Sequence, residues 1–338
     1  MKIVNISFIV ISIFLLCILI FSIRQLIQTF EQGQQNTLTH QKELQKKIYN
    51  NGQTVLMSSL LSRLKEELAE YSTLKNESIR SIAALSHSFQ EYHYEIAGQQ
   101  KEYSPERGQL LLHLALMDLD SMIFARIKEQ TTFSYAKLDK VDLSNLDLSG
   151  VDLERSYLKE ANLKKSNLSF SNLDDAILTK ANLEETNLLG ISALRSNFEW
   201  AKLDGSILAK AKLSGSNFYG SLLRKASLKK AKLERCNFIG ASLHEADLSY
   251  TSLYGADFKK ANLISTNLSF SEMKASNLID ANLVKTDLSQ AEIIISGVEQ
   301  NWFNKLAEFN VIGRDSIRIK YKIVPHKDAK HNFRLMKN

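Results

Sequence analysis

The sequence predicts a mainly β solenoid, a four-sided coil of about eight turns, and three observations carry that reading. From Phe133 to Ile293 a large apolar residue returns every fifth position, and Ala193 is the only one of 33 such centres that is not Leu, Phe, Met or Ile. A period of five fits neither a helix nor a strand. A five-residue unit is also too short to bury its own Leu, so neighbours must stack above and below it. The second observation is that Phe198, Phe218, Phe238 and Phe258 recur at 20 residues with Leu at the centres between them. Four units per coil would put these rings in one column, about 4.8 Å apart. Third, Lys140, Glu160 and Lys180 share a column at that period, as do Arg155, Asp175 and Arg195. Opposite charges on adjacent rungs are what cross-strand pairing favours.

Within each unit the residue two places before the centre is small, as at Ala161, Ser166 and Ala246. Centres and small residues therefore face inward and the other three positions face water. At Ile191-Ser192-Ala193 the large and small residues trade places, which conserves interior volume. Leu146 beside Leu148 has no such compensation, so a local bulge or a looser turn is expected there. Strings such as Ala161-Asn162-Leu163-Lys164-Lys165 and Ala181-Asn182-Leu183-Glu184-Glu185 resemble the pentapeptide-repeat family. The resemblance covers about half the chain and implies a right-handed quadrilateral β-helix. It implies little about activity, because such a fold is a scaffold whose functions differ widely.

Five segments follow from this frame. Residues 1–24 read as a transmembrane anchor: the 21 residues from Ile3 to Ile23 carry no charge, long enough as a helix to span about 30 Å. No small-x-small cleavage site follows them. Lys2 and the terminal amine favour a short cytoplasmic start and a periplasmic coil, in a single-pass protein of a bacterial inner membrane. Arg24 on the other side leaves the reverse orientation open.

Residues 25–103 read as a helical stalk. Met57, Leu61, Leu64, Leu68, Tyr71, Ile82, Leu85, Phe89, Tyr92 and Ile96 keep steps of four and three, the seam of a coiled coil through which 57–96 would make a homo-oligomer. The alternative is one or two amphipathic helices packed on the coil, broken at Lys75-Asn76-Glu77-Ser78. Over 104–130, Ser104-Pro105-Glu106 begins a capping helix with Ser as N-cap and Pro at the first position. That helix carries Leu110, Leu111, Leu114, Met117, Met122, Ile123 and Ile127 into the first repeat and covers an otherwise open end. The repeat occupies 131–295. Residues 296–338 form a C-terminal cap: a short helix laying Trp302, Phe303 and Leu306 on the last coil, a break at Gly313, an edge strand Ile317–Val324 closed by Pro325, and a basic tail.

No motif assembles a nucleophile, a base and an orienting group, and none cradles a phosphate. The chain is therefore expected to be no enzyme and to need no cofactor or metal. Two cysteines, Cys17 and Cys236, make no disulfide framework, and Cys236 stands where a small interior residue belongs. The informative feature is charge. Between Lys202 and Arg235 lie nine basic residues against Asp204 and Glu234. At a 20-residue coil Lys210 stacks on Lys230 and Lys212 on Lys232, with Lys229 beside them. Like charges on adjacent rungs are unfavourable unless an anion sits between them. The same outward column carries Phe170, Tyr250 and Phe270 at its ends, with Trp200 on another face; these rings are expected to lie beneath the N-terminal helices. The chain reads as a membrane-anchored scaffold presenting a solenoid surface to protein or anionic partners, with nucleic acid not expected. Two alternatives stand beside it: a DNA-mimicking protector of gyrase, and a secreted effector inserted in a host membrane. The first wants an acidic rod, whereas 131–295 carry 21 Lys and Arg against 20 Asp and Glu.

Overall fold

The computed structural model describes residues 24, 25, 28, 32, 41, 45, 49, 51–96, 99–117, 119–293, 312–325 and 333–337. The chain divides into Met1–Gly52, whose described residues are all helical, and Gln53–Asn338, the unit treated below. The expected span 3–23 lies outside the described residues, and among those described no helix is long and apolar enough to cross a membrane.

The coil has four faces. Face A is centred on the column from Leu138 through Phe198 to Leu278, face B on Leu143 to Leu283, face C on Leu148 to Leu288 and face D on Phe133 to Met273. Parallel bridges join residues 20 apart, such as Asn162 to Asn182 and Lys212 to Lys232. Leu163 N–H donates to Asn182 O at 2.7 Å, Asn182 N–H to Ala161 O at 2.9 Å and Lys165 N–H to Glu184 O at 3.0 Å, so each rung is tied to the next on both edges.

At every corner the chain turns through two residues. Ala161 N–H donates to Leu158 O at 3.1 Å, and Glu160 between them has φ 58°. A positive φ at the third residue defines a type II turn. All 32 corner positions from Tyr135 to Gln290 share this conformation, and only seven are Gly. Each of the others resists the left-handed region by about 1 kcal/mol, so the corners are held by the interior rather than by local preference.

That interior follows the expectation closely. The rings of Phe198, Phe218, Phe238 and Phe258 stack with centroids 4.8, 4.9 and 5.0 Å apart and planes within 7°. Ile191 and Ala193 are both fully buried. Leu146 makes no bulge: its O still accepts from Asn167 N at 2.9 Å. It stays only partly buried against the core, and its N–H lacks the bond to the preceding centre that Val151 and Ala161 make. This is the looser of the two outcomes foreseen. Interior hydroxyls other than that of Ser156 find carbonyls on their own coil or the one before; Ser166 Oγ and Thr186 Oγ1 both donate to Leu163 O at 2.7 Å. Cys236 S–H does the same to Leu213 O at 3.0 Å. Burial pushes its thiol up to about 12, the behaviour of an inert packing group.

Polar ladders run outside the interior. Asn187 Nδ2 donates to Asn167 Oδ1, and Asn167 Nδ2 to Asp147 Oδ1, both at 3.0 Å. Asn162 reaches Asp142 at 2.9 Å and Asn172 reaches Asp152 at 3.0 Å. Two of these ladders end on a first-coil Asp, which accepts from the rung above and has no amide hydrogens left to place, while Asp152 also accepts from Thr132 Oγ1 on the rung below.

The N-terminal end is closed by helices and a hairpin. Of the two readings of residues 57–96, the structure has the second, and the coiled coil is corrected. Helix α1 covers residues 53–71 of this unit, and α2 (Asn76–Ser88) follows after a break at 72–75. Tyr92 and Ile96 lie on strand β1 (Tyr92–Ile96), which pairs antiparallel with β2 (Gln99–Tyr103). Met57, Leu61, Leu64, Ile82, Leu85 and Phe89 are buried in the same core as Leu110, Ile127 and Phe133, so this chain itself uses the apolar seam.

The expected single capping helix is two, α3 (Pro105–Leu116) and α4 (Ser121–Gln130), split where Asp120 caps α4 through Met122 N. Met122 is exposed as a result. Ser104 does cap α3, accepting from Arg107 N, and its backbone extends face A by one rung, with Ser104 N–H to Tyr135 O at 2.7 Å. Gly108 is required by this docking: a Cβ there would lie 2.4 Å from Lys137 O. Arg107, buried, reaches Ser86 O, Phe89 O, Ser134 O and Glu91, tying α2, α3 and the first coil together.

At the other end, strand β3 (Glu292–Ile293) continues face D. Helix α5 (Arg314–Lys320) occupies the first half of the stretch expected as an edge strand, and β4 (Tyr321–Pro325) holds the second half. Nor are residues 333–337 a plain basic tail: they form β5 (Phe333–Lys337), inserted between β3 and β4. Ile312 pairs with Asn282, and a Cβ on Gly313 would lie 2.9 Å from Val284 N. The helix expected around Trp302 lies outside the described residues.

Candidate interaction surface

Because every corner repeats one coil apart, outward residues fall into straight columns. Several charges in them are matched along the coil axis. Arg195 makes two bonds to Asp175, at 2.9 and 2.7 Å. Lys165 meets Glu185 and Lys225 meets Glu245, each at 3.6 Å, along the corner between faces B and C. Lys164 reaches Glu184 at 2.8 Å, and Arg224 engages Asp204. The column Lys140–Glu160–Lys180 is less tightly matched than expected, since Glu160 meets its own neighbour Lys159 at 3.8 Å. Arg155 turns to the Tyr135 hydroxyl, which raises its pKa further.

The corner between faces C and D differs. It carries Phe170, Gly190, Lys210, Lys230, Tyr250 and Phe270 in line, with Lys229 one residue earlier and Lys212 and Lys232 two residues further, on face D. All five lysines are exposed. Among the described residues none of them has a carboxylate within 4.0 Å. Lys212 and Lys232 are direct bridge partners, and Lys210 N–H donates to Lys229 O at 3.0 Å, which fixes these side chains on adjacent rungs. Burial works to raise the Glu234 carboxyl, but the Ser214 and Ser252 hydroxyls and the Lys232 charge hold it below the usual range.

The expectation that the aromatic residues lie beneath the N-terminal helices is corrected. Phe170 is 69% exposed, Tyr250 49% and Phe270 47%. One face of each, however, is occupied. Tyr250 and Phe270 stack at 4.7 Å with planes 1° apart, Lys229 Nζ stands 5.9 Å from the Tyr250 centroid, and the Phe170 ring lies against Gly190, where a Cβ would come within 2.8 Å. Trp200 does the same over Gly220 on the corner between faces A and B, and Tyr219 meets it edge-on at 5.4 Å. The rings could be found in the sequence; their accessibility depends on where the capping helices sit, which no periodicity reports.

Two clefts complete the surface. One of about 450 Å³ between α1 and α2 is lined by Leu56, Leu60, Arg63, Ala84 and Leu85. A polar one of about 440 Å³ lies between β2 and the coil, lined by Lys101, Glu102, Tyr135, Arg155, Asp175 and Arg195, whose arginines are engaged as described. His244 holds Ile264 O and Glu245 through its two ring nitrogens at 3.1 Å each, rather than standing simply in solvent. Among the described residues no group of His, Cys, Asp and Glu is placed to hold a metal.

The Pentapeptide repeats family model matches residues 129–164, 156–190, 194–229, 221–259 and 256–292, in eight copies. The coil domain belongs to the pentapeptide-repeat family, and with it comes the right-handed quadrilateral β-helix that the repeat implies. The matched segments leave out 191–193, the unit in which Ile191 and Ala193 trade places.

Among solved structures, the chain is similar to HetL, a pentapeptide repeat protein involved in heterocyst differentiation regulation in the cyanobacterium Nostoc sp. strain PCC 7120. The identity is 29% over 49% of this chain and 84% of that one, with a TM-score of 0.27. A pentapeptide repeat protein of the Arabidopsis thaliana thylakoid lumen is 28% identical over 32% and 75%, with a TM-score of 0.29. QnrB1, a plasmid-mediated fluoroquinolone resistance protein, is 24% identical over 46% and 84%, with a TM-score of 0.30. At such scores no functional argument rests on these likenesses. No curated protein shows significant similarity to the chain.

Proposed function

We propose that this chain is a non-enzymatic scaffold, held at a membrane through residues 3–23, whose coil offers the corner between faces C and D to an acidic partner. The observation that carries the reading is the set of five exposed lysines on adjacent rungs, Lys210, Lys212, Lys229, Lys230 and Lys232, on a coil whose other three corner columns place no two Lys or Arg on adjacent rungs. Like charges so placed repel one another, and an anion bridging them relieves the repulsion. The near-neutral coil gives no support to a DNA-mimicking role, for which an acidic surface would be needed.

The test compares two full-length variants of equal net charge on an immobilised polyanion. One replaces Lys210, Lys212, Lys230 and Lys232 by Gln; the other replaces Lys140, Lys180, Lys260 and Lys285, exposed lysines on two other corners. The first should lose salt-sensitive retention and the second keep it. Equal losses would mean that net charge alone governs binding, and the reading would fail.

A further inference from the structure

We infer that the corner between faces C and D is a membrane-lying edge whose ligand is an anionic lipid headgroup layer. The inference rests on the reading of that corner as an anion-facing surface and names the anion. Three features favour a bilayer over a nucleic acid or an acidic protein.

The first is shape. Phe170 and Phe270 are five coils apart, about 24 Å at one strand spacing per coil. Everything between them lies along one straight, convex corner set by identical turns. A straight convex edge fits a plane, whereas an extended peptide is held in a groove or along a sheet edge.

The second is the order of residues. Exposed rings stand at both ends, Phe170 at one and Tyr250 with Phe270 at the other, and the lysines lie between them. Ile207, 45% exposed on face C next to Lys210, adds an apolar side chain in the middle. Aromatic and aliphatic groups that enter the headgroup boundary, combined with lysines that meet anionic lipid, make the pattern of interfacial binding.

The third is ring presentation. Single-stranded nucleic acid would need open ring faces on which bases stack. Here the face of Phe170 lies on Gly190, Tyr250 and Phe270 cover each other, and Lys229 stands near Tyr250. One face of each ring is thus already covered, which leaves no run of open faces for successive bases, whereas a bilayer interface needs none.

The probe is vesicles of phosphatidylcholine alone and vesicles with added phosphatidylserine, sedimented with the full chain. Any contribution of residues 3–23 is common to both vesicle types and cancels in the comparison. The wild-type protein should bind more tightly to the phosphatidylserine vesicles, and the increment should vanish at high salt. Each single Lys→Gln change at 210, 212, 230 or 232 should reduce it about fivefold, the factor that corresponds to roughly 1 kcal/mol per lysine at such a surface. Phe270→Ala should weaken binding to the same vesicles without changing its salt dependence. Equal binding of wild type to both vesicle types overturns the lipid assignment. If lysine-dependent retention on the polyanion persists in that case, the corner still faces an acidic partner and only its identity as lipid falls. If the lysine variants change neither assay, both readings fall together.

Discussion

Two residues make the rules of the interior measurable. Ser156 Oγ is buried with no hydrogen-bond partner, and its neighbours in the same inward column, one coil either way, are Ala136 and Ala176. An unmatched buried hydroxyl is destabilising. Ser156→Ala should therefore raise unfolding stability by about 1 kcal/mol in urea titration, an unusual direction for a core substitution. Gly220 tests the corners. At φ +63° it leaves room for the Trp200 ring, and a Cβ would stand 2.5 Å from it. Gly220→Ala should cost about 1–2 kcal/mol and shift the Trp200 emission. Gly215→Ala, where the added carbon meets only Arg195 Cγ at 3.5 Å, should leave tryptophan emission unchanged. Seven glycines at one position of the five-residue unit are the signal from which the left-handed corner could have been found; the unmatched Ser156 could not be read, because its partners are set by the coils above and below.

At the scale of elements, the caps close the ends of the coil, and they were only partly legible. Ser104-Pro105 marks a helix start by local chemistry alone and is found as expected. The split between α3 and α4 and the β1–β2 hairpin depend on docking to the first coil, which local propensity does not carry. Met57, Leu61, Leu64, Ile82, Leu85 and Phe89 of the expected seam are buried, whereas Tyr71 is exposed, and what covers them is the core of the first coil and its capping helices; periodicity reports a buried face and not what covers it. The joint between α1 and α2 yields a pH prediction. Lys75 at the N-cap of α2 offers no side-chain cap, and Glu67 of α1 accepts from Lys75 N and Ser78 Oγ instead. Burial works to raise the Glu67 carboxyl, but these bonds and the Lys75 and Arg63 charges hold it below its usual range. A depressed carboxylate contributes stability that is complete above the unfolded value of about 4.3 and is lost as pH falls through the folded value. Glu67→Gln should cost about 1 kcal/mol near neutral pH, as for a lost cap. In urea titrations its difference from wild type should shrink below about pH 4.

For the whole molecule, the five-residue period and the 20-residue Phe column were enough to give the four faces, the coil number and the lysine columns. They could not give handedness, which came from the family, nor exposure of the aromatic residues, which came from where the caps stop. A 20-residue rung sets the surface as well as the core, so that Lys212 and Lys232 stand side by side. The most direct measurement is oxidative cross-linking of the full chain carrying Lys212→Cys with Lys232→Cys, against Lys212→Cys with Ser227→Cys. Bridged rungs bring Cα atoms into the 4.4–6.8 Å range that a disulfide needs, while residues 15 apart lie on different faces. Disulfide formation should be rapid in the first pair and absent in the second; comparable cross-linking of both, or of the second alone, would rule out the 20-residue rung at the surface.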